Sequence, residues 1–111
     1  MDREIYCAEV KLYGEEHEKT LHAANNYASA LRDLQHFEEA KALMRKIMPV
    51  ARRVNGDSND LSLYMRANYA RALYDDPAAT LDDLRDAVTI YEETDRIARR
   101  VFGSASNGSG Y

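Results

Sequence analysis

Two histidines and a glutamate fall within His17-Glu18-Lys19-Thr20-Leu21-His22, close to the pattern by which a zinc hydrolase presents two imidazoles and a general base from one helix. That chemistry needs the histidines four residues apart. Here they are five apart, so on a helix they diverge by about 140°. His17 also stands at a helix start, where capping or linking is its expected role. His36 precedes another helix, and no third ligand stands at motif spacing. Cys7, in Ile-Tyr-Cys-Ala-Glu-Val, would need a neighbouring base to act as a nucleophile, and the sequence names none; it is expected to be a buried or half-buried small apolar residue. Glu38/Glu39, Asp82/Asp83 and Glu92/Glu93 read as helix-start or solvated charges, since acids are favoured near a helix N-terminus. No catalytic residue, metal or cofactor is expected.

The elements that would position any site are helices. The 111 residues fit one domain. A hydrophobic content of 45% beside 31% charged residues, with five glycines and two prolines, favours an all-α protein over a turn-rich β fold. Acidic and basic residues are intermixed and the net charge is −4, so no nucleic-acid partner is indicated. A single cysteine cannot form an internal disulfide, and no charged-then-apolar signal pattern or membrane-length apolar run appears in these residues. A cytoplasmic setting with no membrane association is expected.

Sliding the chain against itself exposes a repeat. At an offset of 42, GEEHEKTLHAANNYASAL (14–31) falls on GDSNDLSLYMRANYARAL (56–73) with seven of 18 positions identical, where about one is expected by chance. Further on, ARRVNG (51–56) recurs as ARRVFG (98–103) at an offset of 47. Five residues are therefore inserted after Leu73, and Asp75-Asp76-Pro77-Ala78-Ala79 is where turn chemistry admits them.

The period inside each repeat is helical. Leu21, Ala24, Ala28 and Leu31 form one apolar stripe, and Ala40, Leu43, Met44, Ile47, Ala51 and Val54 form another. Helices are expected over 2–13, 18–34, 37–54, 60–74 and 80–102. Asp57-Ser58-Asn59-Asp60 opens the fourth, and Thr80 with Asp83 forms a capping box for the fifth. Gly14, Gly56 and Gly103 end the first, third and fifth. Pro49 lies inside the third helix, where it removes a donor and clashes with the Arg45 carbonyl at about 3 kcal/mol unless the helix kinks, so a bend is expected there. Residues 1–103 form the array, and the Gly/Ser-rich stretch 104–111 reads as a flexible tail.

These residues carry a family likeness. Asn25-Asn26-Tyr27-Ala28, Phe37-Glu38-Glu39-Ala40 and the link from Gly14 to Thr20 resemble the 42-residue tetratricopeptide repeats of the kinesin-light-chain type, over residues 2–103. Glu18 and Asp60 depart from that pattern, standing where the family has proline. The resemblance implies a right-handed α-α superhelix of antiparallel hairpins: the trailing helix of one partial repeat, then two full pairs. It also implies a non-catalytic protein-interaction module binding an extended peptide of a partner protein on its concave face. By position that face comprises His22, Asn25, Asn26, Ser29 and Arg32 with Tyr64, Asn68, Arg71 and Tyr74. Asparagine suits the task because its amide both donates and accepts, as a peptide unit does. Tyr27 and Tyr69 recur in the repeat and are expected in the core, whereas Tyr64 and Tyr74 fall on the polar stripe.

A second reading follows from size. Repeat arrays need about three units to cover their apolar ends. Homo-oligomerisation through the terminal helices would supply the cover, above all through Leu84, Val88, Tyr91, Ala98 and Val101 of the fifth helix. Alternatively that helix caps the array by folding back on it.

Overall fold

A computed structural model describes the backbone of residues 2–56 and 58–109, and side chains as far as Arg100. It contains α1 (Asp2–Tyr13), α2 (Glu18–Asp33), α3 (Phe37–Asn55), α4 (Asp60–Asp75) and α5 (Leu81–Ser109), an all-α array of tetratricopeptide-like hairpins. Each helix packs on its sequence neighbour, and the leading helices α2 and α4 also touch directly. Among the described residues the backbones of the trailing helices α1, α3 and α5 do not come close to one another. The array therefore closes on the α2/α4 side and splays on the other, which makes α2 and α4 its inner face.

Repeat symmetry extends to single hydrogen bonds. The His17 side chain accepts from the Lys19 amide at 3.1 Å, and 42 positions later Asn59 accepts from the Leu61 amide at 2.9 Å. Two unlike residues thus satisfy the same orphan donor at the start of α2 and of α4. Gly14 and Gly56 both adopt positive φ, 88° and 86°, and end α1 and α3 by donating to Val10 and Arg52, where a side chain would be strained. Thr20 Oγ1 donates to the Glu9 carbonyl at 3.1 Å, and Ser62 Oγ donates to the Ala51 carbonyl at 3.3 Å. Both hydroxyls are buried, and each ties a leading helix to the trailing helix before it.

The core follows the two apolar stripes. Leu21, Ala24, Ile47, Ala51, Leu61 and Met65 form one cluster, and Ala28, Leu31, Ala40, Met44 and Ala72 another, against which Tyr27 and Tyr69 pack. Ala70, Leu73 and Ala87 close the α4/α5 end. Small alanines at the crossings let the helices approach closely, and Leu and Met fill the remaining space. Val54 departs from its expected stripe and is 41% exposed. α3 is one helix through Pro49.

Several expectations are corrected. Cys7 is exposed: α1 is a terminal helix whose backbone approaches only α2, and it has no fully buried residue. Gly103 does not end α5, which continues to Ser109; glycine permits a helix end without compelling one, at about 1 kcal/mol relative to alanine inside a helix. The backbone of 104–109, expected as a tail, thus belongs to α5. Asp57, residues 110–111 and the Val101 side chain lie outside the described residues. The insertion is also divided. The link 34–36 of the first hairpin becomes 76–80 in the second, which accounts for two of the five inserted residues. The other three fall inside α5, between its start and Ala98.

The longer link is anchored by charge. Lys41, in the middle of an otherwise apolar face, is buried and reaches Asp76 at 2.9 Å and Glu38 at 3.1 Å. Asp76, also buried, accepts the Ala78 amide at 2.9 Å. Burial alone would lower the Lys41 pKa, but hydrogen bonds with Asp76 and Glu38 outweigh it and raise the pKa. The Lys41 hydrogen bond, helped by the Ala78 amide, holds the Asp76 carboxyl below the ordinary carboxylate value. Thr80 and Asp83 then cap α5 reciprocally, at 3.0 and 3.1 Å.

Candidate functional site

On the inner face, four of the nine sequence-assigned residues converge. Asn68 of α4 donates its amide to Asn25 Oδ1 at 2.8 Å and to Ser29 Oγ at 2.9 Å, while Arg32 donates to Asn68 Oδ1 at 2.6 Å. One amide thereby ties α4 to three successive turns of α2. Residues 25, 29 and 32 reach a common partner because they follow the i, i+4, i+7 spacing of one helix face. The Arg32 side chain is only 13% exposed and also pairs with Asp33 at 3.4 Å. These residues form a floor, with their polar groups turned largely toward one another.

The other five are exposed. His22 and Asn26 of α2 are exposed, His22 lying 4.0 Å from Glu18. Tyr64 and Tyr74 of α4 are 66% and 64% exposed, and Arg71 between them pairs with Asp75 at 3.5 Å. Tyr64 and Tyr74 turn toward α5, where each borders a groove that reaches Tyr91. The assigned residues thus include a hydrogen-bonded centre on α2/α4 and an aromatic arm on the α4/α5 side. The network was not legible in the sequence, because it depends on how closely α2 and α4 approach.

His17 serves as a cap, and His36 lies 3.3 Å from Glu39 at the start of α3. Among the described residues no group of three or more His, Cys, Asp or Glu side chains could hold a metal ion, and no helix is long and apolar enough to cross a membrane.

Comparison with protein families gives a match. Residues 20–60, which run from the first turn of α2 through α3 to the start of α4, match the family model described as tetratricopeptide repeat. Such repeats are, as a class, non-catalytic modules for protein–protein interaction. Searches of curated proteins and of solved structures gave no match.

Proposed function

We propose that this tetratricopeptide-type repeat protein binds an extended peptide segment of a partner protein across the inner face of α2 and α4, in a cytoplasmic setting. The observation that carries the reading is the Asn25–Asn68–Ser29–Arg32 network. It fixes the floor in one geometry before any ligand arrives, and a preformed floor loses little conformational freedom on binding. The exposed Asn26 and His22 then contact the peptide backbone, and Tyr64, Tyr74 and Arg71 select its side chains. Tyrosine offers a large amphipathic surface at low entropic cost.

The test is selection of binding peptides from a random library, followed by backbone amide NMR of the complex. Shifts centred on His22, Asn26, Tyr64 and Arg71, with loss of binding in Asn26→Ala/Tyr64→Ala at unchanged melting temperature, support the reading. Failure to select any peptide, or shifts confined to α1 and α3, would sink it. The competing reading is self-association through α5. What favours it is the exposure of Leu81, Val88 and Tyr91, at 63%, 54% and 40%. Light scattering separates the two: a mass well above 12.6 kDa at micromolar concentration favours the oligomer.

A further inference from the structure

An open groove of about 440 Å³ lies between α4 and α5. From α5 it is lined by Tyr91, Thr94, Asp95 and Ala98. In the register that superposes ARRVFG on ARRVNG, these are the counterparts of Met44, Ile47, Met48 and Ala51 of α3. All four counterparts belong to the core or pack against it, in part because α4 lies over them. From α4 the groove is lined by Leu63 and Ala67, among others; Leu63 is the counterpart of the buried Leu21. The groove is therefore the seam between a leading and a trailing helix that, one repeat earlier, receives the next leading helix.

We infer that this groove docks an amphipathic helix from a partner protein, and that α4 shows what the helix must carry. α4 meets the earlier seam with Ser62, Met65, Tyr69 and Ala72. At the same spacing α2 bears Thr20, Ala23, Tyr27 and Ala30, with Thr20 bonded back to α1 and Tyr27 6.0 Å from Tyr6. The required pattern is a hydroxyl at i, a small residue or Met at i+3, Tyr at i+7 and Ala at i+10, all on one helix face. Ser62 donates to the carbonyl of Ala51, whose counterpart in the groove is Ala98; the incoming hydroxyl accordingly bonds the Ala98 carbonyl. That sets polarity as well. The helix lies parallel to α4 with its first turn near Asp95 and Asp60, two groove-lining acids that complement the positive end of a helix dipole.

A second copy of the chain does not fit as the occupant. Its outermost helices are α1 and α5, both trailing helices, and neither carries the pattern. The two helices that do, α2 and α4, are already packed between neighbours. This surface is independent of the α2 stripe proposed above and shares only the tyrosine arm with it.

The probe is a synthetic peptide with the sequence 59–75, titrated onto the full chain and followed by fluorescence anisotropy and by the helicity it gains. A helix of this length is marginal alone in water, so docking is visible as induced ellipticity. The expected result is saturable binding that weakens at least tenfold in Ala98→Arg and in Ala67→Arg, on opposite walls of the groove. Asn25→Ala leaves it unchanged, which separates this inference from the inner-face reading. A peptide carrying Met65→Glu should lose binding similarly, and far-UV melting of each protein variant confirms the fold. Absence of binding at millimolar peptide, or binding indifferent to Ala98→Arg, overturns the proposal. So does a homodimer that Ala98→Arg dissociates and the peptide does not.

Discussion

The α2/α3 seam and the α4/α5 seam start from corresponding positions and end in opposite states. In the first, Met44, Ile47 and Ala51 lie at 0%, 4% and 0% exposure. In the second, Tyr91 takes the place of Met44 and is 40% exposed, Thr94 takes that of Ile47, and Asp95 that of Met48. Each exchange puts a polar handle where the filled seam has none. Thr94 remains buried and donates its hydroxyl to the Ile90 and Tyr91 carbonyls, which satisfies it locally. The comparison teaches that one helical scaffold can present an interior or a surface through a few side-chain choices, because backbone ladders are satisfied within each helix either way.

The largest effect is expected where the two hairpins are joined. Asp76→Ala leaves Lys41 buried without its main partner and should cost about 3–5 kcal/mol in chemical denaturation. The carboxyl also makes stability fall in acid. Its folded pKa is depressed, so its contribution is complete above the ordinary carboxylate value and lost as pH falls through the folded one. Asp76→Asn should flatten that acid limb; a limb of unchanged slope refutes the assignment. Next comes the seam contrast itself. Met65→Ala, in the filled seam, should cost about 3 kcal/mol through lost packing and a cavity, whereas Tyr91→Ala in the open seam should shift stability by no more than about 0.5 kcal/mol. Equal losses at the two sites would erase the distinction. The smallest effect tests the hydroxyl ties: Thr20→Ala and Ser62→Ala should each cost about 1 kcal/mol, nearly alike, as read from urea midpoints.

How much of this was legible follows the range of the interactions. Helix positions were readable because period, caps and repeat are local signals: His17 and Asn59 announce the starts of α2 and α4, and Gly14 and Gly56 the ends of α1 and α3. Lys41–Asp76 was not, because the partners stand 35 residues apart and nothing local distinguishes a lysine that turns inward from one that snorkels. The same holds for Asn68, whose three partners lie on another helix. Placing the nine site residues on one stripe needed only helical spacing; knowing that four of them bind one another needed the α2–α4 approach. Cys7 looked buried by composition and is exposed because α1 has a neighbour on one side alone.

One feature bears on how such a chain arises. The ties from Thr20 and Ser62 end on main-chain carbonyls, Glu9 and Ala51, rather than on side chains. A carbonyl is offered by every residue, so the hydroxyl makes no demand on the sequence of the helix before it. A duplicated 42-residue segment can therefore join its parent at once, with no compensating substitution at the new junction. Side chains elsewhere are then free to differ between the copies, as Met44 and Tyr91 do.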